Sequence, residues 1–488
     1  MKLTFYGAAR QVTGSMYLLE TDDHYKILID CGADMERKKP EDQTLDNPTL
    51  KTQQLVSPVA DPTLNSIFPF EASELNLVVL THAHIDHTGM LPLLYKEGYE
   101  GQIICTTPTF HLTNILLHDS AQLNQKRLKR ALDKNRNSRK MPDKVESLFF
   151  DKHVNDTMDQ FVTVPLNQKF KINDQVSVFF NNAGHLLGAA NLVFKVKEKG
   201  VEKSICFSGD IGRFNYPLLA DPQKPPQVDY IVCESTYGNR LHKNNITPEQ
   251  ALYNVIKKTC VEKRGKLIIP AFSVGRSQAL FYTLNKLYQD TDLPRIKVYS
   301  DSPMAKDSSK VYERFVGQLN QEAREFYGDN DELFDFENFQ YIQDLKHSKA
   351  LSSNYEPCII VSSSGMISGG RVEHHVKQNL ENPKSTLCII GYCAEGTIGY
   401  ELMNGAKEVK IKNKTLEVRA DIEVIDCFSA HGDQNDLVQF VQSQDASKLK
   451  AVFLTHGTDI GMEVFKEKLN ELGYANVVMP TKGESFDL

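Results

Sequence analysis

Residues 81–89 read Thr81-His82-Ala83-His84-Ile85-Asp86-His87-Thr88-Gly89, and this stretch decides the fold prediction. It follows the apolar run 77–80, which predicts a buried strand. Side chains two positions apart point the same way in an extended segment, so His82 and His84 can bind one ion. Asp86 and His87 follow as the chain turns and can face a second ion, ahead of a helix expected from residue 90. Three imidazoles and a carboxylate this close together favour zinc or a similar divalent metal.

The composition is typical of a soluble protein that is too long for one ordinary domain. The chain has 488 residues, of which 41% are apolar and 24% are charged. This length predicts two domains, or one large domain with an insertion. We find no apolar run long enough to span a membrane, and residues 1–7 begin a strand pattern rather than a signal peptide. We therefore expect a cytoplasmic protein with no membrane segment.

The cysteines indicate the redox compartment of the protein, and the net charge indicates what a polyanionic partner would require. The nine cysteines form no C-x-x-C pair, and several lie inside apolar runs, which favours buried thiols in a reducing compartment. Subtracting 63 acidic from 56 basic residues leaves a net charge of −7, so a polyanion would need a local basic surface. The basic run at 126–140 is one candidate. We interpret it as a solvated helix face, with a helix that follows phosphates as the alternative.

Further candidate ligands come directly after predicted strands. His185 follows the strand 176–181, Asp210 follows 204–208, and His456 follows 451–455. Two ions need about six or seven protein ligands with one shared, and Asp210 is the natural bridge because a carboxylate has two oxygens. Asp30 ends an earlier strand, where it either orients a ligand or simply makes a turn.

Residues 240–400 alternate strands with helices, which is the βαβ rhythm of a parallel sheet. A helix is expected to start at Thr247-Pro248. Two loops, 270–277 and 362–371, join a strand to a helix and are rich in small residues. Such loops bind phosphates at helix amino ends, or else hold glycines for packing. The candidate substrate-binding residues in them are Ser273, Arg276, Ser363, Ser364 and Arg371.

Together these motifs resemble a known family. The pattern His82-x-His84-x-Asp86-His87, with the three later ligands, resembles the metallo-β-lactamase fold. The segments 234–238, 428–431 and 455–457 resemble the additional motifs of its β-CASP nucleases. The segments 363–366 and 391–397 are similar to the nuclease subunit of the pre-mRNA cleavage and polyadenylation specificity factor and its prokaryotic relatives. The similarity covers nearly the whole chain except the stretches near 33–72 and 120–165.

The resemblance implies an α/β protein, an αββα sandwich interrupted by an α/β β-CASP domain with a mainly parallel sheet. The metallo-β-lactamase domain would span 1–237 and 423–488, and the β-CASP domain 238–422. Two zinc ions are implied. His82, His84 and His185 would bind one, Asp86, His87 and His456 would bind the other, and Asp210 would bridge them. His431 would be the general acid and Glu234 would hold it, so that His431, Glu234 and Asp86 form the implied catalytic set.

The implied function is a zinc-dependent ribonuclease that cleaves single-stranded RNA with metal-activated hydroxide. Internal cleavage, 5′-exonuclease action and a homodimer all remain open.

A DNA nuclease of the same group is an alternative, although members acting on DNA usually lack the last histidine, here His456. A non-catalytic RNA-binding scaffold subunit is another, although such relatives have lost metal ligands. A small-ester or thioester hydrolase would not need the insertion. Thr458 departs from the glutamate that the family often has there.

Overall fold

The computed structural model describes residues 1–34, 67–136, 148–242 and 246–488, which form two compact units. Unit 1 comprises residues 1–212, 222–241 and 431–488, and unit 2 comprises 213–221 and 242–430. Most of the long excursion at 33–72 lies outside the described residues, as do positions 137–140 of the basic run. The rest of that run forms the end of a long helix.

The strands of both units are numbered together in chain order, so that the strands of unit 2 interrupt those of unit 1. Those before the insertion are β1 (Lys2–Phe5), β2 (Tyr17–Glu20), β3 (Lys26–Ile29), β4 (Leu77–Val79), β5 (Gln102–Thr106), β6 (Phe161–Val164), β7 (Lys169–Lys171), β8 (Val176–Asn182), β9 (Ala190–Glu198), β10 (Val201–Phe207) and β11 (Tyr230–Glu234). Unit 2 contributes β12 (Lys266–Pro270), β13 (Lys297–Asp301), β14 (Phe339–Tyr341), β15 (Cys358–Ser362), β16 (Thr386–Ile389), β17 (Glu408–Ile411), β18 (Lys414–Glu417) and β19 (Asp421–Val424). The chain then adds β20 (Ala451–Thr455), β21 (Val477–Val478) and β22 (Ser485–Asp487) to unit 1.

The helices divide between the units in the same way. Unit 1 has α1 (Ile85–Thr88), α2 (Leu91–Lys96), α3 (Thr107–Arg136) and α4 (Asp151–Met158). Unit 2 has α5 (Pro248–Ile256), α6 (Arg276–Asp290), α7 (Pro303–Arg314), α8 (Gln321–Asn330), α9 (Leu345–Ser353), α10 (Val372–Asn379) and α11 (Ile398–Met403). The last two, α12 (Gln434–Gln442) and α13 (Asp459–Glu471), belong to unit 1.

Unit 1 is a sandwich of two sheets with helices on both outer faces. The first sheet has the order β22-β1-β2-β3-β4-β5-β6, and the second has β21-β20-β11-β10-β9-β8-β7. Alternate residues of β8, such as Val178 and Phe180, enter the core between the sheets, while Phe179 packs on the outer side beneath α12 and α13. On the other face, α2, α3 and α4 cover the first sheet. The predicted αββα sandwich is confirmed.

The ligand candidates of unit 1 gather at one edge because of this strand arrangement. Strands β10, β11 and β20 run parallel to one another, so their carboxyl ends lie at the same edge of the sheet. Asp210, Glu234 and His456 stand at or just after these three ends. Residues distant in sequence are therefore brought together at this edge.

Unit 2 has a sheet of the order β14-β13-β15-β12-β16-β19, in which each described pairing is parallel. The predicted parallel β-CASP sheet is thus confirmed, with β17 and β18 forming a separate hairpin. Thr247 caps α5 as predicted, because its side chain accepts a hydrogen bond from the backbone N–H of Gln250 and Pro248 occupies the first helical position. The predicted boundary at 422/423 falls inside β19, which pairs with β16, whereas the compact unit continues to residue 430.

Within the described ranges, no helix has both the length and the apolar character that crossing a membrane requires. All nine cysteines are buried free thiols, as predicted.

Candidate metal centre and active site

The decisive stretch of sequence forms a loop followed by a one-turn helix. His82 and His84 lie in the loop after β4, and α1 begins at Ile85, so Asp86 and His87 are helical. The helix predicted from residue 90 is confirmed as α2 (Leu91–Lys96), and α1 is an additional turn that the sequence did not predict. Within this turn the hydroxyl of Thr88 donates to the carbonyls of Ala83 and His84, at 3.0 Å each.

Three imidazoles and one carboxylate form the first ligand group. His84 Nδ1 lies 3.0 Å from His82 Nε2 and 3.2 Å from His185 Nε2. Asp210 Oδ2 lies 3.4 Å from the same nitrogens of His82 and His185. Ligands around a tetrahedral zinc, with Zn–N bonds of about 2.0–2.1 Å, are separated by roughly 3.3 Å. The spacing of these four atoms therefore fits one zinc ion.

The protonation states of the first group also suit a metal. Burial, together with the neighbouring histidines, lowers the pKa of His82 and His185 well below its usual value, against the opposing effect of Asp210. Burial lowers the pKa of His84 to about 4. Neutral imidazoles have a free lone pair on one nitrogen, which is the form that binds metals.

The second ligand group lies on the other side of Asp210. Asp210 Oδ1 is 3.2 Å from His87 Nε2 and 3.6 Å from His456 Nε2, and His456 Nε2 is 3.5 Å from Asp86 Oδ2. Asp210 thus directs one oxygen to each group, which is the arrangement expected of a bridging carboxylate. Burial alone would raise the pKa of Asp210, but His456, His87 and His82 hold it well below its usual value.

Unpartnered buried atoms provide an independent test of this fit. Asp210 Oδ1 and His456 Nε2 are buried and have no hydrogen-bond partner in the described part of the chain. Leaving such groups unpaired costs about 1–3 kcal/mol each, and more when they are charged. Both atoms face the second ligand group, so a cation bound there would satisfy them. The residues present therefore fit a second metal ion as well as a first.

Asp30 orients the imidazole of His87 through its Nδ1 atom. Its Oδ2 lies 2.7 Å from His87 Nδ1, and Thr81 holds the carboxylate by donating from its backbone N–H and its hydroxyl, each at 2.8 Å. With Nδ1 occupied, His87 Nε2 is the nitrogen left for a metal. The sequence left the role of Asp30 open between a turn and a ligand support, and this contact favours the second.

Thr236 supports His456 in the same way, and sequence reasoning missed it. The Thr236 hydroxyl lies 2.9 Å from His456 Nδ1, which leaves Nε2 directed to the second group. The two residues are 220 positions apart, so no local pattern could reveal the contact. The strand-end segment 234–238 was the only available signal.

His431 and Glu234 form a pair beside Asp210. His431 Nδ1 lies 3.3 Å from both carboxylate oxygens of Glu234, and the backbone N–H of Ile211 also donates to that carboxylate. Burial would lower the pKa of His431, but Glu234 and then Asp210 raise it above its ordinary value. Because Nδ1 faces Glu234, Nε2 is the nitrogen left to carry a proton to substrate.

The predicted substrate loops of unit 2 meet at the carboxyl ends of β12, β13 and β15. Ser273 and Ser302 lie 2.7 Å apart through their hydroxyls, and the Ser363 hydroxyl donates to Ser302 at 3.3 Å. Ser302 was not predicted. Ser364 instead accepts a hydrogen bond from the backbone N–H of Ser368 within its own loop.

Arg371, the second predicted phosphate clamp, is already engaged. Its Nη1 lies 2.6 Å from Asp301 Oδ1 and also donates to the carbonyl of Ile342, while Nη2 donates to the carbonyl of Gln343. A phosphate would have to compete with Asp301 for this guanidinium. Phosphate binding by Arg371 stays a prediction.

Comparisons with known proteins agree with this geometry. Family models match residues 9–166 (Metallo-beta-lactamase superfamily), 277–402 (Beta-Casp domain) and 415–480 (Zn-dependent metallo-hydrolase RNA specificity domain). Ribonuclease TTHA0252 of Thermus thermophilus is 30% identical over 473 residues, which cover 97% of this chain and 95% of that protein. The chain belongs to the β-CASP group of the metallo-β-lactamase superfamily.

Other β-CASP relatives are longer than this chain. Transcription termination factor FttA of Methanosarcina mazei is 30% identical over 485 residues, covering 96% of this chain and 69% of that protein. Integrator complex subunit 11 of Danio rerio is 28% identical over 422 residues, covering 84% and 64%. A crystal structure of a protein of unknown function from Enterococcus faecalis V583 has a TM-score of 0.52 at 13% identity, over 100% of this chain and 99% of that one. This last similarity concerns the fold alone.

Proposed function

We propose that this β-CASP protein is a ribonuclease that hydrolyses phosphodiester bonds of single-stranded RNA at a two-zinc centre. The observation that carries the proposal is Asp210, whose two oxygens face two separate groups of ligands, with the His431–Glu234 pair beside it. Ribonuclease TTHA0252, similar over nearly its whole length, supports RNA as the substrate. The complete ligand set argues against a non-catalytic scaffold.

The residues of the chain have separate tasks in this reaction. A pair of zinc ions would polarise the phosphate oxygens and lower the pKa of water towards about 7. His82, His84 and His185 would hold one ion, Asp86, His87 and His456 the other, and Asp210 would keep the two at a fixed separation. Asp30 and Thr236 keep His87 and His456 in the tautomer that leaves Nε2 free.

His431 is the proposed general acid. Its Nδ1–H donates to Glu234, so its Nε2–H can be given to the oxygen that leaves phosphorus. Proton transfer of this kind contributes roughly 10²–10⁴-fold to the rate. Glu234 favours the protonated imidazole and fixes its orientation, which makes Glu234 a positioning residue.

Digestion of one RNA labelled separately at each end tests the proposal. Wild-type protein with zinc should cleave the RNA, and His431→Ala should lose roughly 10²-fold or more of the rate while keeping its zinc. Internal fragments from both labels would indicate endonuclease action, and release from the 5′ label alone would indicate a 5′-exonuclease. Preferential cleavage of a DNA strand of the same sequence would replace RNA by DNA as the substrate. Unchanged cleavage by His431→Ala would remove His431 from the mechanism.

A further inference from the structure

Arg276 is a buried cation that the fold of unit 2 does not neutralise. The residue is only 9% exposed, and its guanidinium makes no hydrogen bond or ion pair with any residue of unit 2 that the structure describes. Moving an isolated charge out of water is expensive, and buried charges in proteins are normally paired. This guanidinium therefore has the character of a site for an anion.

An aromatic ring and a glycine hold the guanidinium in place. Its central carbon lies 4.8 Å from the centre of the Phe272 ring, in a cation–π contact. The guanidinium also lies close to Gly391, where an added Cβ would be 2.9 Å from the same carbon. Any side chain at position 391 would push the guanidinium away, and Gly391 also has a φ of +149°, which favours glycine. The cation is thus held in one position between two neighbouring strand ends, those of β12 and β16.

The backbone N–H groups of residues 275–277 already donate to acceptors nearby, which leaves the guanidinium as the group at this position that can bind a ligand. The Gly275 N–H donates to Gln278 Oε1 at 2.7 Å, and the Ser277 N–H donates to the Phe272 carbonyl at 3.3 Å. This differs from the sequence-based expectation that helix-end amides hold phosphates. The two arginines therefore differ in charge environment, because the charge of Arg371 is neutralised by Asp301.

We propose that Arg276 binds a phosphate of the RNA other than the one being cleaved. The inference rests on the proposed function for the identity of the anion. A guanidinium presents a planar fork that matches two phosphate oxygens, so an arginine held in one position suits this ligand. The phosphate is either an internal phosphodiester or the 5′-terminal phosphate.

Substitutions of Arg276, which carries the charge, and of Gly391, which leaves room for it, test the proposal. Arg276→Gln removes the charge, and Gly391→Ala keeps the charge but displaces the guanidinium. Arg324→Gln removes an exposed arginine from α8, and Gly317→Ala adds a methyl group where no atom lies within 4 Å, so these two are the matched controls. Steady-state cleavage is measured on one RNA sequence carrying either a 5′-phosphate or a 5′-hydroxyl.

We expect Arg276→Gln and Gly391→Ala to raise KM by roughly tenfold or more, the loss expected for one hydrogen-bonded charge, with kcat within about twofold. An equal increase on both RNAs assigns an internal phosphate, and an increase only on the 5′-phosphorylated RNA assigns the terminal one. If KM of Arg276→Gln stays within about twofold of Arg324→Gln on both RNAs, the proposal is overturned.

If wild-type protein does not cleave RNA, the proposed function is refuted, but the anion site at Arg276 is not. A second measurement tests the site in that case. Inorganic phosphate should then raise the melting temperature of wild-type protein more than that of Arg276→Gln. Equal shifts in the two proteins would overturn the proposal. In phosphate-free buffer Arg276→Gln should melt no lower than wild type, because an unpaired buried charge is removed, whereas a purely structural arginine would lower the melting temperature when replaced.

Discussion

At the scale of single residues, the centre depends on side chains that never touch a metal. Asp30 and Thr236 each occupy one imidazole nitrogen and leave the other for a ligand role. Supports of this kind are worth about 10- to 100-fold in metal affinity. They are also the part of the site that sequence patterns describe least well.

Replacing Asp30 should weaken the second metal more than the first. We expect Asp30→Asn to lower the affinity for one of two zinc ions by about 10- to 100-fold, because His87 loses its carboxylate partner. Zinc content per chain after dialysis against graded chelator measures this. Asp174→Asn, which changes an exposed surface pair with Lys171, is the control. Equal zinc retention by the two variants would contradict the assigned role of Asp30.

The pH dependence of kcat should report the His431–Glu234 pair. Burial acts to lower the pKa of His431, but Glu234 raises it above the ordinary value, so the acid stays protonated to higher pH. The rate should therefore fall as pH rises through that pKa. Glu234→Gln removes the raising charge and should move this alkaline limb to lower pH. A limb that stays in place in Glu234→Gln would show that another group controls it.

At the scale of elements, unit 2 is tied together by Asp301 at the end of β13. This carboxylate is fully buried and lies 2.6 Å from Arg371 of the 362–371 loop and 2.6 Å from His375 of α10. Ser348 of α9 also donates to it at 2.6 Å. One side chain therefore connects a strand, a loop and two helices.

Asp301→Ala should destabilise unit 2 by about 3–5 kcal/mol, because it leaves the Arg371 charge without its partner. Burial acts to raise the pKa of Asp301, but His375, Ser348 and Arg371 lower it overall. The stabilisation from this group is thus present above the ordinary pKa and is lost as pH falls through the lowered value. Urea unfolding of wild type and variant at neutral and acidic pH measures both effects. A difference between the two proteins that stays constant on acidification would contradict the pH argument.

At the scale of the whole molecule, the ligands come from both sheets of unit 1. His82 and His84 follow β4 of the first sheet, whereas Asp210 and His456 follow strands of the second. Bound metal ions would thus connect the two layers of the sandwich. Metal binding should therefore contribute to folding as well as to catalysis.

Removing metal should lower the melting temperature, and adding zinc should restore it. A ligand at 100 times its Kd stabilises the folded state by about 2.7 kcal/mol, so the shift should amount to several degrees. Differential scanning calorimetry with chelator and with added zinc measures it. Asp210→Asn, which removes the bridging charge, should show a much smaller response. Identical responses in wild type and Asp210→Asn would argue against a centre shared by both sheets.

The family resemblance implied the αββα sandwich, whereas local sequence patterns predicted the parallel sheet of the insertion and the candidate ligands that the structure brings together. They succeed because apolar periodicity and ligands at strand ends are local signals. They fail for Ser302 and for the pairing of Arg371 with Asp301, which are contacts between distant positions. They also miss α1, because a helix of four residues is too short to show an apolar periodicity.

The two ends of unit 1 that flank the long insertion 242–430 lie side by side. The backbone N–H of Gln434 donates to the carbonyl of Arg240 at 3.0 Å, and the Gln434 side chain donates to the carbonyl of Gly238 at 2.6 Å. A short peptide could join these neighbouring points without stretching the sandwich. Such a shortened chain would keep Glu234 and His431 on the same scaffold.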